Sequence, residues 1–121
     1  MNSCYFIGRF LYDPILNEVS RGENGKTYVS NFKLAVTRKF KKSGGGTGKQ
    51  VSFLNFSVWD SAATLICQEF RKDDYIIVNA SARSEVCETD TGKKFDKISF
   101  RIENFEFIPR SNNEYEEKEE T

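Results

Sequence analysis

The chain has 121 residues, one domain's worth, with 18 Lys+Arg against 18 Asp+Glu and no histidine. The missing histidine excludes His-based acid–base catalysis, Ser-His and Cys-His nucleophiles and His-ligated zinc. No run approaches the ~18 apolar residues of a membrane span, and Met1-Asn2-Ser3-Cys4 lacks the basic and apolar regions of a secretory signal.

Three cysteines, Cys4, Cys67 and Cys87, are an odd number with no Cys-x-x-Cys spacing. They form no disulfide framework and read as reduced thiols of a cytosolic chain. The zero net charge conceals segregation. Residues 24–59 hold Lys26, Lys33, Arg38, Lys39, Lys41, Lys42 and Lys49 and no acid, whereas residues 60–121 hold nine basic and fifteen acidic groups. Such a block points to a polyanion partner or to a solvated lysine-rich loop.

In chain order, the first strand spans residues 5–11, and Asp13-Pro14 marks a turn. A second strand spans 29–40, with Phe32, Leu34 and Val36 on one side and Asn31, Lys33 and Thr37 on the other. Ser43-Gly44-Gly45-Gly46-Thr47-Gly48-Lys49 reads as a flexible loop. It superficially resembles a P-loop, but Gln50 stands where Ser or Thr must follow the lysine. A third strand spans 51–59. Residues 61–71 place Ala62, Leu65, Ile66 and Phe70 at helical spacing, with Asp60 or Ser61 as N-cap. Asp73-Asp74 is the polar turn after this helix rather than a metal site. The next strand spans 75–83. Residues 85–87 and 94–96 flank Asp90-Thr91-Gly92-Lys93 as a hairpin. The last strand, 97–107, directs Ile98, Phe100 and Ile102 inward. Residues 109–121 hold one aromatic and no aliphatic side chain, so they read as a short acidic disordered tail behind a domain of residues 1–108.

Three strands, one helix and further strands suit a closed all-β barrel with the helix plugging one end. The expected fold is an OB-fold, a five-stranded Greek-key barrel with one short helix between strands 3 and 4.

The stretch Ser52-Phe53-Leu54-Asn55-Phe56-Ser57-Val58-Trp59 carries the functional signal. Alternation puts Leu54, Phe56 and Val58 on the core face and Phe53, Asn55, Ser57 and Trp59 on the other. Two large rings on a polar face, beside a lysine-rich segment, suit single-stranded nucleic acid: bases stack on rings while cations track phosphates. The rival reading buries both rings at a protein contact.

Residues 2–14, Asn-Ser-Cys-Tyr-Phe-Ile-Gly-Arg-Phe-Leu-Tyr-Asp-Pro, resemble the opening of bacterial and phage single-stranded DNA-binding proteins. Asn31-Phe32-Lys33-Leu34-Ala35-Val36 is similar to that family's second strand, and Phe56-Ser57-Val58-Trp59-Asp60-Ser61-Ala62-Ala63 with Glu69-Phe70-Arg71-Lys72 to its strand-into-helix segment. The likeness covers residues 1–108. It implies an OB-fold homo-oligomer, a tetramer or dimer, that binds and protects single-stranded DNA in the cytoplasm or nucleoid during replication, recombination or repair. It implies neither catalysis nor a cofactor or metal.

Phe40, Phe53 and Trp59 match family base-stacking aromatics, with Lys33, Arg38, Lys39, Lys41, Lys42 and Lys49 placed for phosphates. Phe40 shares the parity of Leu34 and Val36, so by alternation alone it points inward unless a bulge or loop intervenes. Cys87 stands where a fourth stacking aromatic is expected, leaving Phe95 as its substitute in that hairpin. The tail ends Glu119-Glu120-Thr121 rather than in the bacterial Pro-Phe tip, and its shortness fits a phage or mobile-element member. Such a tail is expected to compete weakly with DNA for the basic groove. The alternative function is an OB-fold interaction subunit of a replication or recombination assembly.

Overall fold

A computed structural model describes residues 1–20 and 22–109. Strand β1 is Cys4–Phe10, β2 Asn17–Ser20, β3 Lys26–Lys41 and β4 Thr47–Trp59; helix α1 is Asp60–Glu69, and β5 (Tyr75–Glu88) and β6 (Lys94–Phe107) follow. The sheet runs β1-β5-β6-β4-β3-β2, and a further β1–β3 pairing closes it. Five strands thus form the barrel, while β2 is a short extra edge strand on β3. All pairings are antiparallel except β4–β6, which is parallel through Phe56↔Phe100 and Ser57↔Arg101. Without β2, the helix falls between the third and fourth barrel strands, as an OB-fold requires.

The core follows from alternation. Phe32, Leu34, Phe56, Val58, Ile76, Val78 and Ala80 are buried inward-facing residues, joined by Phe10 and Ile102. Phe10 sits at the centre, its ring 4.9 Å from Phe32 and 5.2 Å from Phe70. Helix α1 contributes Ala63 and Ile66, and Phe70 follows it into the same cluster. Among the described residues no helix is long and apolar enough to cross a membrane.

Several expectations are corrected. The glycine-rich stretch is not a loose loop. Thr47, Gly48 and Lys49 belong to β4 and pair with Lys41, Phe40 and Lys39. The turn is confined to residues 42–46, where Lys42 N–H donates to the Gly46 carbonyl at 3.1 Å. Gly45 and Gly46 take φ +91° and +86° there, which glycine alone adopts without cost. Residues 85–87 and 94–96 do pair as a hairpin about the turn at 89–93, and its strands are continuous with β5 and β6.

Ile98 lies on that far end and is 62% exposed, whereas Phe100 and Ile102 do turn inward. Leu65 is exposed, and Ala63 rather than Ala62 is the fully buried alanine. Neither Asp60 nor Ser61 caps the helix. The N-cap is Trp59, with no side-chain bond, because Asp60 Oδ1 instead accepts the hydroxyl of Thr27 on β3. Asp73 and Asp74 do form the turn after α1, with Asp74 Oδ2 accepting the Arg71 N–H at 2.8 Å. Of the tail read over 109–121, all but Pro109 lies outside the described residues.

Barrel closure depends on a close approach. A Cβ on Gly8 would stand 2.8 Å from Leu34 Cβ, inside van der Waals contact with a fully buried side chain. Gly8→Ala is therefore expected to lower stability by about 1–3 kcal/mol, the usual cost of overpacking, measured by urea unfolding. Wild-type stability in that variant would show that β1 and β3 part freely.

Candidate nucleic-acid interface

Strands β3 and β4 pair without a bulge over thirteen positions, from Val29↔Trp59 to Lys41↔Thr47. Parity therefore assigns every side chain of this ribbon to one of two faces. The core face carries Phe32 with Phe56 and Leu34 with Leu54, and continues outward to Arg38 with Gln50 and Phe40 with Gly48. The opposite face carries Asn31 with Ser57, Lys33 with Asn55, Ala35 with Phe53, Thr37 with Val51, Lys39 with Lys49 and Lys41 with Thr47, and ends at Trp59.

Phe53 and Trp59 accordingly share a face with Lys33, Lys39, Lys41 and Lys49. Phe53 is 59% exposed, and Trp59 is half-buried. Six residues of strand separate the two rings by ~20 Å, room for several nucleotides rather than one. Arg38 and Phe40 sit on the other face. Phe40 keeps the parity of Leu34, yet it is 38% exposed because the barrel ends before it. No bulge is needed. Its ring lies over Gly48, where an added Cβ would come within 2.5 Å, and the Arg38 guanidinium carbon is 5.8 Å from its centroid. Lys42 belongs to the turn.

The middle of the lysine-bearing face opens into a cleft of about 180 Å³. Asn31, Lys33, Asn55 and Ser57 form one wall; Glu85, Lys97 and Ser99 of β5 and β6 form the other. Tyr12 lines it too, its hydroxyl accepting the Lys33 backbone N–H at 3.1 Å. This volume is below the ~300–1,000 Å³ of small-molecule sites, and the lining is polar. It fits the edge of an extended polymer better than an enclosed substrate. Among the described residues no group of three or more Cys, Asp or Glu is placed to hold a metal.

Sequence reasoning missed Tyr12, Lys97, Ser99 and Arg101. Arg101 reaches Trp59 through the parallel β4–β6 pairing, its guanidinium carbon 5.7 Å from the ring centroid. No local pattern announces a parallel contact between segments over forty residues apart. A cation over an indole at a partly exposed site is worth ~0.5–1 kcal/mol. Arg101→Ala is therefore expected to cost under about 1 kcal/mol and to shift Trp59 emission to longer wavelength as water replaces the cation. Unchanged emission would show that the two groups do not interact in solution.

Comparison with known proteins bears on the family and the fold. The model of the Single-strand binding protein family matches residues 1–108. A single-stranded DNA-binding protein of Fusobacterium nucleatum is 31% identical over 107 residues, covering 88% of this chain and 66% of that protein. One of Clostridium perfringens is 28% identical over 112 residues, covering 93% of this chain and 69% of that protein. The chain thus spans about two thirds of these relatives' length. Among solved structures, a Plasmodium falciparum SSB in complex with ssDNA superposes with TM-score 0.79 at 18% identity, over 90% of this chain and 96% of that one. A deletion mutant of the single-stranded DNA binding protein of Thermus aquaticus gives 0.77 at 17%, over 93% and 52%. These two share the fold. With its family model matched over nearly the whole described structure, the chain belongs to the single-strand binding protein family.

Proposed function

We propose that this protein binds single-stranded DNA without sequence preference and protects it during replication, recombination or repair. The observation that carries this reading is the single face shared by Phe53, Trp59, Lys33, Lys39, Lys41 and Lys49. Rings on that face offer stacking to any base, and the lysines track the backbone, so affinity does not depend on sequence. Phe40 and Arg38 act from the turn end of the ribbon, and Lys42 from the turn itself. The relatives' names and the ssDNA complex of the Plasmodium protein support the same ligand. In this reading the protein is a non-catalytic homo-oligomer of the cytoplasm or nucleoid. Tyr5, 74% exposed, and Ile7 give β1 an apolar outer face for a second copy.

Trp59 is the only tryptophan, so its fluorescence reports on one place. Oligo-dT is expected to quench it, and duplex DNA of equal length is not, because paired bases hide their faces. Trp59→Ala should weaken oligo-dT binding by ~1–3 kcal/mol. Unquenched emission together with a dissociated Trp59→Ala variant would instead establish an interaction subunit with Trp59 at a protein contact.

Salt provides the second measurement. Log K against log salt is expected to fall by about 0.7 per phosphate neutralised. The triple variant Lys39→Ala/Lys41→Ala/Lys49→Ala should flatten that slope. A slope equal to wild type would remove the outer ribbon from the binding surface.

A further inference from the structure

Strand β6 borders the ribbon through its parallel pairing with β4. Phe100 and Ile102 turn into the core, so Lys97, Ser99 and Arg101 share the outer face of β6. Lys97 and Ser99 line the cleft. Arg101 is the next member of that row, ~7 Å beyond Ser99. The parallel register sets it beside Ser57, which lines the cleft from β4. Its guanidinium carbon is 5.7 Å from the Trp59 ring centroid.

The two cations of this row differ in their surroundings. Lys97 has an acid directly across the strand pair, Glu85. Arg101 has Ser81 there, and the Ser81 hydroxyl donates at 3.0 Å to Glu103, the acid nearest to Arg101 in sequence. Among the described residues the Arg101 guanidinium makes no hydrogen bond and no ion pair. It is also half-buried. A guanidinium carries a fixed fork of N–H donors, and leaving donors unused away from water costs free energy. The Trp59 ring attracts the charge, but it is no substitute for an oxyanion in front of the fork.

We infer that Arg101 binds a phosphate of the nucleotide whose base stacks on Trp59. Strand β4 then holds the base and β6 the backbone of one nucleotide. The contact is the paired N–H···O recognition that suits a guanidinium to a phosphate. The inference rests on the reading that single-stranded DNA occupies this face.

The test titrates the full chain with labelled oligo-dT, following anisotropy of the label over a series of salt concentrations and Trp59 emission at saturation. Arg101→Ala is expected to bind about 10-fold more weakly. Its slope of log K against log salt should be shallower by about 0.7, the share of one phosphate on a single strand. Arg101→Lys should keep the wild-type slope, because the charge remains, and still bind more weakly than wild type, because the fork is lost. Oligo-dT should quench Trp59 in both variants. A wild-type slope in Arg101→Ala overturns the inference. If Lys39→Ala/Lys41→Ala/Lys49→Ala flattens the slope in the same series, the single-stranded DNA reading stands without it. Lost quenching at saturation in Arg101→Ala also overturns the inference, because Arg101 then positions the ring rather than holding a phosphate. So does a fall in mass by light scattering that accompanies the weaker binding, because Arg101 then supports a contact between copies. A wild-type protein whose oligo-dT affinity ignores salt overturns the reading and the inference together.

Discussion

The unbroken register between β3 and β4 is the constraint on which the site depends. Thirteen consecutive pairs leave no position at which the two faces can exchange. A slip of one residue would turn Lys33 and Asn55 into the barrel and Phe32 and Phe56 out of it. Burying an unpaired lysine and exposing two core rings together cost far more than the few kcal/mol by which a small domain is stable. The core half of the hairpin therefore dictates the face assignment of the outer half, where no packing operates. Phe53 and the lysines share the outer face of the ribbon because the side chains of Phe32 and Phe56 are packed into the core.

Closure of the barrel fixes where the second wall stands. Strand β1 bridges β5 and β3, pairing Arg9 with Tyr75 and with Ala35, and Gly8 lets the β1 backbone settle on Leu34. The turn after α1 is tied into the same corner. Phe10 N–H donates to the Asp74 carbonyl and Asp73 N–H to the Phe10 carbonyl, each at 2.9 Å. Lys72 N–H donates to Asp13 Oδ1 at 2.7 Å, which anchors the segment carrying Tyr12. The Arg9–Asp73 ion pair at 2.9 Å lies at the surface and adds little by comparison. Hydrogen bonds from backbone N–H groups in this corner, one of them to the Asp13 carboxylate, rather than the surface ion pair, hold the segment that carries Tyr12.

What was legible in the sequence has a physical pattern. Alternation over residues 51–59 identified both faces of β4 correctly, because that strand borders a packed core on one side and solvent on the other. The same rule misplaced Ile98, since alternation implies burial only where a second layer exists. On a two-stranded arm beyond the barrel, both faces meet water. Phe40 is the mirror case, with inward parity and an exposed ring. Helical spacing found Ile66 and Phe70 but also Leu65, because a short helix plugging a barrel end buries a narrower stripe than one lying on a sheet. The helix cap failed for a tertiary reason, since Thr27 takes the Asp60 carboxylate that local rules assign to the helix. Tyr12 and Arg101 reach the site through pairings between distant segments, which no local periodicity encodes.

The two arms also supply an internal comparison for the meaning of charge. Lysines along an exposed ribbon guard against edge-to-edge aggregation whatever else they do. If solubility were the whole reason, both arms would carry similar charge patterns. They do not. The β5–β6 arm sets Glu85 across from Lys97 and Glu88 across from Lys94, so its charges compensate across the strands. The β3–β4 arm sets Lys39 across from Lys49, with no acid between residues 24 and 59. A concentration of lysines on one of two otherwise similar arms, on the face that carries Phe53, is what a polyanion along that face would reward and what solubility alone does not explain.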